Sequence, residues 1–288
     1  MNRRKKGKTR KKTGSNYKLG YILLIIALIP IMYGLLLYCR QMERPQNSSP
    51  QTGVPTQALS VKELQIPTLL TPRQEQIIRH TGYTVSYNKE LKLPNWVSYE
   101  LTREETKGKE KRDNRFIADP QVKGPIATNA DYARSGYDKG HMAPAADMKW
   151  SAQAMKESFY FSNMCPQHPQ LNRRSWKNLE EKVRDWAIAD SAIIIICGPI
   201  LPKQPKTIGK NKVAVPQRYF KVILSPFVTP IRAIGFLFNN EQAVEPLSTY
   251  TVTVDSIERL TGMDFFAALP DETEHKIEAE ENYFQWPH

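Results

Sequence analysis

The chain has few cysteines and few histidines. Its three cysteines, Cys39, Cys165 and Cys197, show no zinc-site spacing, and only five histidines are present. In an exported domain a disulfide between Cys165 and Cys197 is allowed, although the sequence favours Cys197 as a buried residue that ends the apolar run 193–196. The sequence also contains no internal repeat. A zinc finger and a repeat array are therefore excluded.

Acidic residues are absent from residues 1–18, and charged residues are absent from Leu19 to Tyr38. The first segment holds nine lysines and arginines. The second has twenty uncharged residues, which at about 1.5 Å each cross a hydrocarbon core of about 30 Å. The positive-inside rule then predicts a single-pass membrane helix over 19–38 with a cytoplasmic N-terminus. We expect the chain after Arg40 to be periplasmic or extracellular.

Other targeting segments compete with this membrane anchor. A cleaved signal peptide has a shorter apolar region and a small-x-small site, and no such site follows Tyr38. A lipoprotein signal would use Cys39, but Leu37-Tyr38 before it is a poor small-residue lead-in. A mitochondrial presequence is disfavoured, because the basic block is rich in lysine and the apolar stretch is long.

Composition divides the rest of the chain into three parts. Residues 39–72, rich in Pro, Gln, Ser and Thr, read as a flexible linker. Residues 73–270 form the candidate globular domain, and residues 271–288 form an acidic tail that we expect to be frayed. Between Thr71 and Pro270 there are 28 basic and 21 acidic residues. This excess favours a polyanionic partner.

Hydrophobic periodicity predicts an α+β fold with a central, mostly antiparallel sheet flanked by helices. Alternating or continuous apolar runs predict strands over Tyr83–Tyr87, Trp96–Leu101, Ala192–Cys197, Tyr219–Leu224 and Ile231–Phe238. Helices are predicted over Ser151–Ser158, Arg173–Ala189 and Val254–Leu260, the first capped by Ser151 and the last stopped by Gly262. At 100° per residue, one stripe of the long helix collects Trp176, Leu179, Val183, Trp186 and Ala187.

One segment stands out chemically. Asp138-Lys139-Gly140-His141 lies in a turn-rich stretch, and Asn163, Asn172, Glu180 and Arg184 follow it within 43 residues. Each of these alone has an ordinary structural role: Asn172 can cap a helix, and Glu180 and Arg184 can form an ion pair one helical turn apart. A histidine, an amide, a carboxylate and arginines together suit a phosphodiester hydrolase that uses one metal ion.

These residues resemble the DNA/RNA non-specific endonucleases, a ββα-metal (His-Me finger) family that includes endonuclease G-like enzymes. The family motif is Asp-Arg-Gly-His, and here lysine replaces the arginine. The downstream Asn163, Pro166-Gln167, Leu171-Asn172, Trp176, Leu179-Glu180 and Arg184 match the family pattern, as do the upstream Arg115 and Asp119-Pro120. The resemblance spans about 81–270 and implies a ββα element at the site. Together with the predicted N-terminal anchor, it indicates a membrane-anchored bacterial member of this family.

The resemblance implies a division of roles. His141, whose ordinary pKa lies near 6.5, is the expected general base. Asn172 is the expected protein ligand of Mg²⁺, with Mn²⁺ as an alternative, because hard cations prefer oxygen ligands. Glu180 is expected to orient the waters around the metal.

The remaining residues are expected to handle the phosphate and the loop. Arg115 and Arg184 are the expected phosphate-holding groups, and Lys139 adds charge without the planar fork of an arginine. Asn163 either positions the His141 loop, orients the metal waters or simply caps a turn.

Elements that read bases are missing: there is no recognition helix and no RNP-like aromatic motif. The expected partners are DNA and RNA, bound through phosphates irrespective of sequence, with a homodimer left open. Two alternatives to a membrane-anchored endonuclease remain. One is a catalytically weak relative that captures or takes up DNA, and the other is a phosphodiesterase for a non-nucleic substrate.

Overall fold

The structure, a computed structural model, describes residues 60–287. Thirteen strands lie in this part of the chain: β1 Thr68–Leu69, β2 Gln76–Arg79, β3 Thr84–Asn88, β4 Leu93–Thr102, β5 Asp138–His141, β6 Met164–Gln167, β7 Ala192–Ile200, β8 Thr207–Ile208, β9 Val213–Ala214, β10 Arg218–Ser225, β11 Arg232–Asn239, β12 Thr251–Val252 and β13 Met263–Asp264. Six α-helices accompany them: α1 Val61–Leu64, α2 Asn129–Tyr132, α3 Ala152–Ser158, α4 Trp176–Asp190, α5 Val254–Thr261 and α6 Asp271–Ala279.

Seven strands form the central sheet in the order β12-β11-β10-β7-β4-β3-β2, and every neighbouring pair is antiparallel. Strand β7 lies in the middle and is covered on both faces, which explains its unbroken isoleucine run. Ile193 and Ile195 enter one hydrophobic core, and Ile194 and Ile196 enter the other. The α+β prediction with a central antiparallel sheet is confirmed.

The first core holds the long helix. A single turn of π-helix, Leu171–Ser175, leads into α4. All five residues of the predicted apolar stripe are buried there: Trp176, Leu179, Val183, Trp186 and Ala187. The predicted ends of two shorter helices are also confirmed. Ser151 Oγ accepts a hydrogen bond from Ala154 N, and Gly262 ends α5 with φ 65°, a conformation that glycine adopts without strain.

The second core, on the opposite face of the sheet, is covered by α5 and α6. Helix α6 belongs to the segment 271–288 that we expected to be frayed; instead Ile277 is buried. Farther on, Trp286 is 2% exposed and packs on Trp186 with ring centroids 4.6 Å apart. The acidic composition of this segment led to the wrong prediction, because it contains two buried apolar residues, Ile277 and Trp286. The acidic residues in the first turn of α6 also favour a helix, since negative charge stabilises a helix N-terminus.

The predicted linker also ends earlier than expected. Leu64 of α1 is buried in the second core, and β1 pairs with β13, so folded structure is present before residue 73. The rest of that linker, the basic tail 1–18 and the predicted membrane helix 19–38 lie outside the described residues. Within 60–287 no helix combines the length and apolarity needed to span a bilayer. Cys165 and Cys197 are buried free thiols.

Candidate active site

The motif segment forms an antiparallel hairpin. Strand β5 pairs with β6, and Asp138 lies opposite Gln167 while His141 lies opposite Met164. A Cβ atom at Gly140 would lie 2.2 Å from Gln167 Oε1, so only glycine allows this close approach. The glycine before His141 is therefore required by packing. After β6 the chain enters the π-helical turn Leu171–Ser175, called the π-turn below, and then α4.

His141 lines a cleft of about 690 Å³. Its ring lies against Phe159 and Phe116, with centroids 4.9 and 5.6 Å away. Nε2 is enclosed and has no hydrogen-bond partner among the described residues. Burial, together with the charges of Arg112 and Lys139, lowers the pKa of His141 to about 3. The imidazole is therefore neutral at physiological pH and able to accept a proton.

Asn163 holds the backbone that follows His141. Its Oδ1 accepts a hydrogen bond from Ala143 N at 2.9 Å, and its Nδ2 donates to Ala143 O and Ser158 O at 2.9 and 2.8 Å. The side chain is fully buried and does not line the cleft. Of the roles expected from the sequence, the structure thus supports loop positioning.

Asn172 lies in the π-turn on the other side of the cleft. Its Nδ2 donates to Asp138 Oδ2 at 2.9 Å, which fixes the amide and leaves Oδ1 without a hydrogen bond from the described residues. Arg173 binds both oxygens of Asp138 at 2.8 and 2.7 Å. Burial alone would raise the pKa of Asp138, but these hydrogen bonds hold it below its usual value. Asp138 therefore orients Asn172 as an ionised carboxylate.

Glu180 and Arg184 project from α4 into the same cleft. Burial raises the pKa of Glu180 to about 8, although Lys221, Arg184 and Arg112 act in the opposite direction. Arg184 Nη1 lies 2.8 Å from Asp147 Oδ1, and Tyr99 Oη donates to Asp147 Oδ2 at 2.8 Å. Burial raises the pKa of Asp147 although Arg184 acts in the opposite direction, so Arg184 compensates a buried acid as well as facing the cleft.

The structure does not bring Arg115 to the cleft. Its side chain is 78% exposed and pairs with Asp113. Arg112 lines the cleft instead, with its guanidinium 4.9 Å from the centre of the Phe159 ring. Both arginines lie in one polar run, and no sequence pattern separates them. Of these two arginines, only Arg112 lines the cleft.

Lys139 contributes charge to the cleft as expected. Its Nζ donates to Asn129 Oδ1 at 3.0 Å and lies 4.2 Å from the centre of the Phe116 ring. Five basic side chains line the cleft against three acidic ones: Arg112, Lys139, Arg173, Lys177 and Arg184, with Asp138, Glu180 and Glu181. This surface suits a polyanion. Sequence reasoning missed Arg112, Phe116 and Asp147; only Asp147, a lone acid among apolar neighbours, carried a signal.

A strand pair that carries a buried histidine is thus followed by a π-helical turn that presents an asparagine and by the long helix α4. Sequence comparison gives the family. The profile of the DNA/RNA non-specific endonucleases matches residues 60–272, and the chain belongs to that family. It is therefore an enzyme of the nuclease class.

Several characterised proteins are similar over the same region. Human endonuclease G, a mitochondrial protein, is 35% identical over 209 residues, which cover 67% of this chain and 70% of that protein. Nuclease C1 of Cunninghamella echinulata var. echinulata is 32% identical over 209 residues, which cover 67% of this chain and 83% of that protein. The crystal structure of an EndoG/EndoGI complex aligns with a TM-score of 0.66 and 30% identity, over 70% of this chain and 90% of that one.

Proposed function

We propose that this protein is a metal-dependent endonuclease that hydrolyses DNA and RNA irrespective of sequence, with His141 as general base and Asn172 as metal ligand. The observation that carries the proposal is the pairing of two unsatisfied groups in one cation-rich cleft. These are His141, whose enclosed Nε2 has no hydrogen-bond partner among residues 60–287, and the Oδ1 of Asn172, which accepts no hydrogen bond from those residues.

The donor set fits a hard divalent cation. Asn172 Oδ1 is the kind of oxygen that Mg²⁺ prefers, and a cation of this type keeps several waters, so one protein ligand suffices. Glu180 is placed to orient those waters, and a nearby cation favours the ionised form of its carboxyl group. When bound, Mg²⁺ supplies positive charge that stabilises the phosphate oxygens and the leaving oxygen. Mn²⁺ has the same ligand preference.

His141 would act through Nδ1, because Nε2 is enclosed by the protein. In the free protein its low pKa makes it a weak base. A bound phosphate changes this balance, because its negative charge offsets the charges of Arg112 and Lys139 that lower the pKa. The base thereby gains strength when the substrate is in the cleft. Phe116 and Phe159 restrict the ring to one orientation.

Phosphate binding would rest on Arg112, Lys139, Arg173 and Arg184. Contacts of this kind carry no sequence information, so the enzyme should cut many sites and bind more weakly at high salt. The test uses purified full-length chain on supercoiled plasmid, linear duplex, single-stranded DNA and RNA, with Mg²⁺ or EDTA. Mg²⁺-dependent products from all four support the proposal. A single dominant cut site on a long mixed-sequence duplex, or full activity in EDTA, contradicts it.

We also propose that residues 19–38 anchor the enzyme in a bacterial membrane with residues 1–18 in the cytoplasm and the nuclease domain outside it. The support is the nine basic residues before a twenty-residue uncharged span. Protease added to intact spheroplasts should then remove the nuclease domain and spare an N-terminal epitope. Protection of the nuclease domain in intact spheroplasts contradicts this topology, and a cleaved leader would appear as a shortened N-terminus. A homodimer would appear as a doubled mass in detergent.

A further inference from the structure

A second group of acidic side chains lies away from the cleft, between the two helices that cover the second core. Asp255 and Glu258 project from α5, and Glu278 projects from α6. One carboxylate oxygen of each lies within 4.8 Å of the other two. The cleft helix α4 packs on the opposite face of the sheet, so this group is separate from the candidate active site.

Glu278 is unusual because it is buried without a partner. Glu278 is only 3% exposed, and its Oε1 makes no hydrogen bond with the described residues. A buried carboxylate without a compensating group is costly. Asp255 and Glu258 are partly exposed, so water and ions reach the group from their side.

These acids have no basic partner within residues 60–287. None of the ion pairs among the described residues includes Asp255, Glu258 or Glu278. The pKa of Glu278 is raised to about 9 by burial and then by Glu258 and other nearby carboxylates. Burial also raises the pKa of Glu258 to about 7. The two glutamates therefore resist ionisation together in the absence of a positive charge, and a bound cation would supply that charge.

We infer that Asp255, Glu258 and Glu278 form a second divalent-cation site, of the calcium class, on the face of the domain opposite the cleft. Ca²⁺ binds carboxylate oxygens at about 2.3–2.6 Å, so oxygens that share one ion lie at most about 5 Å apart. The oxygens here meet that limit without movement of the backbone. Three carboxylates supply up to six oxygens, of which Glu258 Oε1 also accepts a hydrogen bond from Phe265 N at 2.7 Å, and water completes the shell from the exposed side.

The cation has a structural task in this arrangement. It links α5, which lies within the family segment 60–272, to Glu278, which lies after it. Helix α6 is followed by Trp286, which packs on Trp186 of α4. A bound ion thus holds the C-terminal segment against the domain.

The test compares Ca²⁺ binding by the full-length chain and by Glu278→Gln, in detergent, using equilibrium dialysis with radioactive calcium at about 1 mM. Both proteins keep Asn172, so any calcium at the cleft cancels in the comparison. We expect the wild-type chain to bind one ion more than Glu278→Gln, or at least about tenfold more tightly, since even the loss of an outer contact weakens metal sites about 10–100-fold. Calcium should also raise the Tm of the wild-type chain more than that of the variant.

Glu272→Gln is the matched control, because Glu272 is an exposed glutamate on the same helix outside the group. It should bind calcium like the wild-type chain. Glu278→Gln should keep Mg²⁺-dependent nuclease activity, so a loss of the second site is distinguishable from a failure of the proposed function. If Glu278→Gln does not fold, Asp255→Asn takes its place. Equal calcium binding by wild type and the cluster variant overturns the inference, as does equal loss in Glu272→Gln.

Discussion

Replacement of His141 by alanine is the most direct test of the proposed mechanism. General-base catalysis contributes about 10²–10⁴-fold, which corresponds to about 3–5 kcal/mol of transition-state stabilisation. Within residues 60–287 no other histidine lines the cleft. His80 lies 2.9 Å from Asp119 Oδ2 away from the cleft, and His168 Nδ1 accepts a backbone hydrogen bond from Gln170. We therefore expect the turnover of His141→Ala to fall by at least about two orders of magnitude.

The binding of DNA should survive this change, because Arg112, Lys139 and Arg173 remain in place. Fluorescence anisotropy with a labelled duplex in EDTA measures that binding, and single-turnover cleavage in Mg²⁺ measures the rate. His141 is only 8% exposed, so the alanine leaves a gap between Phe116 and Phe159 and should lower the Tm. His141→Asn, which fills more of that space, separates the loss of packing from the loss of the base.

His168→Ala is the matched control and should lose much less activity. Near-normal turnover in both His141 variants would refute the assignment of the base. If His168→Ala loses its nuclease activity while His141→Ala keeps it, the general base would be His168 and the assignment from the family motif would be wrong.

Three further predictions concern the cleft. Asn172→Ala should lose most activity at low Mg²⁺ and recover part of it at high Mg²⁺ or Mn²⁺; an unchanged metal requirement would mean that Asn172 only shapes the helix start. Arg112→Ala should weaken DNA binding more than Arg115→Ala does, because only Arg112 lines the cleft; the reverse order in a salt-titrated anisotropy assay would contradict the structure. Since the pKa of His141 is lowered to about 3, its imidazole should stay neutral from pH 8 down to about pH 5 in the free protein. A pKa near 6.5 in an NMR titration would show that burial and the neighbouring cations do not lower the pKa of this histidine.

Sequence reasoning reached the sheet and the long helix because their apolar periods are strong. Ile193–Ile196 fits only a strand buried on both faces, and the stripe from Trp176 to Ala187 fits only one helix face. Periodicity alone missed β5 and β6, since Asp138–His141 has neither alternation nor β-branched residues, and only the family resemblance implied two strands there. That hairpin depends on the contact between Gly140 and Gln167, which are far apart in the chain.

The candidate site was predictable where the chemistry was local to the motif. His141, Asn172, Glu180 and Lys139 all line one cleft, as their spacing indicated. Arg115 was selected by the motif, yet the guanidinium that reaches the cleft is three residues away. Such a choice depends on the path of an irregular loop, which periodicity does not describe. The apolar neighbours of Asp147 hinted at its burial, but its partner Arg184 is identified only by the structure.

The packing of Trp286 on Trp186 bears on where this chain can be shortened. Trp186 lies on α4, the same helix that carries Glu180 and Arg184, and its Nε1 donates to Pro287 O at 2.9 Å. A fragment that stops at residue 272, where the family match ends, would leave Trp186 facing water. The smallest piece that keeps this packing on α4 therefore extends to residue 287, and a fusion partner is better joined before residue 60 than after residue 270.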